Sequence, residues 1–149
     1  MSPVVVGVDG SDGSVRALRF ALNEARARAT NVKAVGSWDV PVAAYESGWV
    51  TAPIDFGEFA TFAQSALDKA LADAGAADSG VEATSVVRQG QPADVLCAEA
   101  QGADLLVVGS RGLGGFRGLM LGSVSQQCSH HTPCPLVIVP NRAPGKDSR

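Results

Sequence analysis

Five short apolar runs punctuate this chain: PVVVGVD (3–9), NVKAVGSWD (31–39), VEATSVVRQ (81–89), ADLLVVG (103–109) and PLVIVP (135–140). Each is rich in β-branched residues and too short for a helix of ordinary length. Runs of that kind read as strands covered on both faces, the type found in parallel sheets. A segment long enough to hold a helix lies between each run and the next. Strands that alternate with helices imply right-handed crossovers and a mostly parallel sheet with helices on both faces. The expected class is therefore α/β, a single-domain Rossmann-like sheet. A length of 149 residues fits one domain, and neither an internal repeat nor a linker divides it. We expect that domain to occupy residues 1–141, with a disordered tail over 142–149.

The helical segments carry their own signals. Ser11 or Asp12 can cap a first helix that places Val15, Leu18, Leu22 and Ala25 on one stripe. Arg16, Arg19, Glu24, Arg26 and Arg28 lie on the opposite face, and Asn31 is expected to end the helix. A second helix runs from about Asp55 to Ala74, with Phe59, Ala63, Ala66 and Ala70 facing inward and Gly75 as the stop. Gly90 and Pro92 open a short third helix, since proline at a first-turn position loses nothing by lacking an N–H. SVSQQCSHH (123–131) reads as the last helix. The segment 41–53, bounded by prolines and without periodicity, reads as an irregular loop.

The fourth strand run leads into GSRGLGGFRGLMLGSVS (109–125), which places many glycines between a strand and a helix start. A helix N-terminus presents unbonded N–H groups and a partial positive charge, which together suit an anion. Glycine removes the Cβ that would hold a phosphate away from such amides, and it permits positive φ. Arg111 and Arg117 add cationic donors. Ser123 stands three residues before Gln126, the spacing of a capping box, so its hydroxyl can serve as a cap, a ligand contact, or each in turn. Two familiar phosphate motifs are excluded. No lysine lies in the loop, so it is not a P-loop, and Arg117 breaks G-x-G-x-x-G.

Ligands of open α/β sheets bind outside the carboxyl ends of the strands, where the strand order reverses. Asp9 closes the first strand run and Gly109 the fourth. If those strands are neighbours, Asp9 faces the glycine loop. Its carboxylate could accept from ribose hydroxyls or hold a hydrated Mg²⁺. The alternative is an Asx-turn aspartate within Asp-Gly-Ser.

Composition narrows the function further. The formal charge of -3 argues against bulk nucleic-acid binding. No apolar run is long enough to span a membrane, and SPVVVGVDG lacks the basic start of a signal peptide. Three cysteines make no disulfide framework, which places the expected location in the reducing cytoplasm. Cys128, His130, His131 and Cys134 invite a zinc reading, but they straddle a helix end and a strand start, so their side chains should diverge. The histidines are explained by the helix dipole, and Cys97 as a core residue. We expect no resident metal.

Taken together, these residues resemble the universal stress proteins, and in particular their ATP-binding branch. That branch carries G-x-x-G, nine residues, then G-[ST]. Here Gly109-Ser-Arg-Gly112 is followed by nine residues and then Gly122-Ser123. VGVDGS (6–11) and PCPLVIVP (133–140) are also similar to that family, so the resemblance covers about residues 3–140. It implies a five-stranded parallel sheet in the order 3-2-1-4-5. It also implies that Gly7, Val8 and Asp9 contact adenosine and that Ser37, at the end of the second strand, lies near adenine. Gly109, Ser110, Arg111, Gly112, Leu113, Gly114 and Gly115, with Gly122, Ser123, Val124 and Ser125, would then wrap ribose and phosphates. The implied ligand is ATP, alone or with Mg²⁺ near Asp9, and the implied assembly is a homodimer through the last strand. Independently, PLVIVP is an apolar run expected at a sheet edge, where an open strand invites pairing.

The sequence carries no nucleophile elbow, and no lysine or histidine lies near the loop. The expected function is thus an ATP-binding regulatory protein of the stress response, not an enzyme. The alternatives are a slow Mg²⁺-dependent ATP hydrolase, and a cyclic-AMP-binding or nucleotide-free interaction module.

Overall fold

The computed structural model describes residues 2–39, 46–48, 56–111 and 121–140. Its chain order is β1 (Val4–Gly7), α1 (Asp12–Ala27), β2 (Val32–Trp38), α2 (Phe56–Asp73), a 3₁₀ turn (Ala76–Asp78), β3 (Ala83–Gln89), α3 (Pro92–Glu99), β4 (Leu105–Gly109), α4 (Ser123–His131) and β5 (Leu136–Val139). The five strands form one sheet in the order β3-β2-β1-β4-β5, and every neighbouring pair is parallel. The expected fold class and strand order are therefore those observed. Most of the expected loop at 41–53 and all of the expected tail at 142–149 lie outside the described residues.

Side chains of a strand alternate between faces, so a sheet covered on both sides needs apolar residues at nearly every position. The central strands obey this rule. Val4 and Val6 pack with Val32, Ala34, Leu105 and Val107 against α1 and α2. Val5 packs with Val35, Leu106 and Val108 against α3 and α4. On α1 the expected stripe is buried through Leu18, Leu22 and Ala25, with Ala17 and Ala21 beside them. Each fully buried leucine here contributes about 1.5–3 kcal/mol relative to an exposed one.

Two expectations from the helical pattern are corrected. Helix α1 ends at Ala27, with Arg28 as its C-cap, and does not continue toward Asn31. Ala29 takes the left-handed conformation at φ 56°. Its N–H donates to the Arg26 carbonyl at 3.2 Å, and that of Thr30 to the Ala25 carbonyl at 2.9 Å. This is the Schellman pattern, in which glycine is the usual occupant because a Cβ is strained there. With alanine in that place, the sequence carried no stop signal. On α2, Leu67 and Ala70 are buried, whereas Phe59 is 36% exposed. Phe59 stacks on Trp38, the last residue of β2, with ring centroids 6.2 Å apart and planes at 14°. The first turns of α2 thus meet the end of the sheet and not its middle.

Helix α3 is fastened at its far end by Glu99, which bonds Lys33 of β2 at 3.1 Å and Arg88 of β3 at 3.2 Å. Burial alone would raise this carboxyl, but the two cations outweigh it and hold it below the usual carboxylate value.

Candidate functional site

The two central strands decide where a ligand can bind. After β1 the chain turns onto one face of the sheet, as α1. After β4 it turns onto the other, as α4. β1 and β4 are neighbours, so a crevice opens at their carboxyl ends, at the switch point of a doubly wound sheet. Asp9 and Gly109 flank that crevice, as the sequence required if these strands were adjacent.

On the β1 side, the Val8 N–H donates to the Val35 carbonyl at 2.9 Å, while the Val8 side chain joins the core and is 8% exposed. Asp9 is exposed, and its Oδ1 accepts from the Ser11 N–H at 2.9 Å and the Ser11 hydroxyl at 2.6 Å. This is the Asx-turn arrangement that stood as the alternative to a ligand role. Ser11 is the N-cap of α1, accepting from the Ser14 N–H at 3.2 Å.

On the β4 side, the Ser110 N–H donates to the Val139 carbonyl at 2.8 Å. The Ser110 carbonyl in turn accepts from the Gly122 N–H at 2.6 Å and the Ser125 hydroxyl at 3.0 Å. The chain leaving β4 and the chain entering α4 are thereby bonded to each other. Arg111 follows directly and is half-buried. Gly112, Leu113, Gly114 and Gly115, along with Arg117, lie outside the described residues.

The expected capping box does not form. The N-cap of α4 is Gly122, with no side-chain cap, and Ser123 is the first helical residue. Ser123 is exposed. The serine that anchors this start is Ser125, 2% exposed, whose hydroxyl lies 3.0 Å from both the Ser110 and Gly122 carbonyls. Among the described residues, the amides of Ser123, Val124 and Ser125 have no acceptor, and the first turn holds no acidic residue. Such a terminus retains both its donors and its partial positive charge.

Two of the glycines assigned to the ligand have packing reasons of their own. A Cβ on Gly7 would come within 2.7 Å of Leu96 Cδ1 on α3. A Cβ on Gly109 would come within 3.2 Å of the Gly13 carbonyl oxygen in the first turn of α1. Both sites are small so that a helix can sit close to the sheet. Ser37 is half-buried and pairs in register with Arg88. It shares the face of Val35, while Trp38 on the opposite face stacks on Phe59 and meets Phe56 at a tilt of 33°.

The zinc reading finds no support in the geometry. Cys128 is buried, whereas His130 and His131 are exposed. Among the described residues, no three histidine, cysteine or carboxylate side chains converge on a metal position.

The sequence matches the profile of the universal stress protein family over residues 1–140. The chain belongs to that family. A universal stress protein of Mycobacterium tuberculosis is 35% identical over 138 residues, which is 92% of this chain and 44% of that protein. The universal stress protein YxiE of Bacillus subtilis is 35% identical over 143 residues, covering 91% of this chain and 97% of that one. This chain thus spans under half the length of the mycobacterial relatives it matches. Among solved structures, the universal stress protein UspA of Lactobacillus plantarum shares the fold at a TM-score of 0.73 and 22% identity, over 93% of this chain and 97% of that one. A universal stress protein in complex with cAMP is 30% identical at a TM-score of 0.65, over 93% and 95%. One from Archaeoglobus fulgidus in complex with dAMP is 25% identical at 0.59, over 93% and 98%.

No helix among the described residues is long and apolar enough to cross a membrane.

Proposed function

We propose that this universal stress protein is an ATP-binding regulatory factor of the stress response, a single domain over residues 1–141 that changes its partner surface with its nucleotide. The observation that carries this reading is the uncapped start of α4, placed at the β1/β4 switch point behind the G-x-x-G, nine residues, G-S spacing. Gly109 to Gly115 and Gly122 to Ser125 would receive the phosphates, with Arg111 as the cationic donor. Gly7, Val8, Asp9 and Ser37 would border the nucleoside. A Mg²⁺ would be held chiefly by the phosphates, with Asp9 as the carboxylate at the end of β1. That carboxylate is engaged by Ser11, and no described group stands ready as a base. We therefore read binding and not turnover as the function, with slow Mg²⁺-dependent hydrolysis as the rival that Asp9→Ala would abolish. Cyclic AMP is the second ligand to test, because the 30%-identical structure carries it.

Denaturing the freshly purified protein and chromatographing what it releases should yield ATP. Apo protein should then bind ATP, and Gly112→Glu should abolish that binding by placing a carboxylate where the phosphates lie. Retained affinity in a folded Gly112→Glu protein would falsify the site assignment. Preferred binding of cyclic AMP in competition would replace the ATP reading.

We further infer a homodimer through the 135–140 segment. All four residues of β5, Leu136 to Val139, are half-buried and apolar at an open sheet edge, where a second copy can pair. Ile138→Lys should convert a dimer to a monomer by light scattering, and a wild-type chain already monomeric at high concentration defeats the inference. Nucleotide binding and three unpaired thiols support a cytoplasmic location.

A further inference from the structure

The three cysteines, far apart in the sequence, meet at the seam between α3, α4 and the approach to β5. Cys97 on α3 and Cys134 before β5 are half-buried, and Cys128 on α4 has no exposed surface. All three pack into one apolar cluster with Leu106, Val108 and Ile138. Cys97 is the centre of the group. Its thiol lies near enough to those of Cys128 and Cys134 to interact electrostatically with both. The Cys134 thiol has a second neighbour in Thr132 Oγ1 at 4.0 Å, and its backbone is tied to the same hydroxyl, the N–H donating at 3.3 Å and the carbonyl accepting at 2.7 Å.

We propose that Cys97 and Cys128 are an oxidation site, forming an intramolecular disulfide under a hydroperoxide and cross-linking α3 to α4. The Cys97 thiolate attacks the outer oxygen of the hydroperoxide. The O–O bond breaks, the alcohol or water leaves with a proton, and Cys97 becomes a sulfenic acid. The Cys128 thiolate then attacks the Cys97 sulfur, the S–O bond breaks, and the departing hydroxide takes a proton and leaves as water. In sum, two thiols and one hydroperoxide give one disulfide, one alcohol (or water) and one further water. Cys97 reacts first because the oxidant can reach it. Cys128 reacts second because it is fully buried and has Cys97 as its thiol neighbour.

Burial, reinforced by the neighbouring Cys97, pushes the Cys128 thiol up to about 12. The thiolate is the reactive form, so the cross-link should form slowly near neutrality and faster as pH rises. A disulfide holds its two Cα atoms within about 4.4–6.8 Å, so closure fixes the spacing of α4 on α3 at these two residues. Cys128 stands one turn beyond Ser125 on the buried side of α4, and movement there reaches the helix start at the crevice. That last coupling rests on the proposed nucleotide site, whereas the disulfide does not.

The full-length protein should be treated with hydrogen peroxide and its intact mass read without reductant. The chain should lose two hydrogens, regain them with dithiothreitol, and give a peptide linking Cys97 to Cys128. Cys97→Ser and the volume-sparing Cys128→Ala should each remove the link. A chain that keeps all thiols until it unfolds, or a link that maps to Cys134 or to a second chain, overturns the proposal. The oxidised form should differ from the reduced form in ATP affinity by at least about fivefold, the lower end of ordinary coupling between sites. Equal affinities refute the coupling, and absence of ATP binding in both forms refutes the nucleotide reading, while the mapped peptide still decides the disulfide.

Discussion

Helices α1 and α4 both begin at the carboxyl end of the sheet, on opposite faces and on either side of the β1/β4 crevice. The first is closed by its own residues. Ser11 caps it, Asp9 braces Ser11, and Asp12 stands in its first turn. The second has a glycine at its N-cap, no side-chain cap and no acid in its first turn. An acidic helix start has already met its dipole with its own charge. A glycine-capped start without acids leaves donors and potential for something else. The sheet thus presents one spent helix terminus and one open one across the same crevice, and the contrast points an anion toward α4.

That contrast can be broken from either side. Ser123→Asp should have the largest effect. A carboxylate at the first helical position of α4 should add roughly 0.3–1 kcal/mol of stability through the dipole. The same charge should weaken ATP binding by about tenfold or more, near 1.4 kcal/mol. Thermal melting and titration calorimetry on one preparation read both effects, and a variant that gains stability without losing affinity would show that phosphates do not use this terminus. Ser11→Ala should do the reverse. Losing that cap should cost about 1 kcal/mol of stability with ATP affinity unchanged, and a large affinity loss would move the anion to α1. The smallest effect belongs to Ser125→Ala, at roughly 0.5–1 kcal/mol by denaturant unfolding. It is small because the Ser110 carbonyl keeps the Gly122 N–H and the Gly122 carbonyl keeps the Gln126 N–H. A loss several times larger would mean that the hydroxyl, and not the backbone pair, holds the loop ends together.

The two termini also differ in how openly the sequence announced them. For α1, Asp-Gly-Ser supplied the cap and the Asx-turn locally, within a few residues, and both are present as bonds. For α4, the helix over 123–131 was legible in the sequence, but the S-x-x-Q spacing pointed to the wrong cap. The Gly122 amide is drawn to the Ser110 carbonyl, which leaves Gly122 as the N-cap and pulls Ser123 into the first turn. Ser125 then faces inward to the same carbonyl. A bond between residues twelve positions apart overrode a local motif.

The sequence by itself determined the strands, their parallel arrangement and the helices between them, because those follow from periodicities of two and 3.6 and from burial on both faces of a sheet. It also determined the glycine spacing that marks the family. Only the tertiary structure decided why Gly7 and Gly109 are glycines, why Phe59 leaves the core for Trp38, why α1 stops at a left-handed alanine, and that three scattered cysteines share one seam. Each depends on which distant surface a residue meets, and contacts of that kind exist only once the helices have been laid on the sheet.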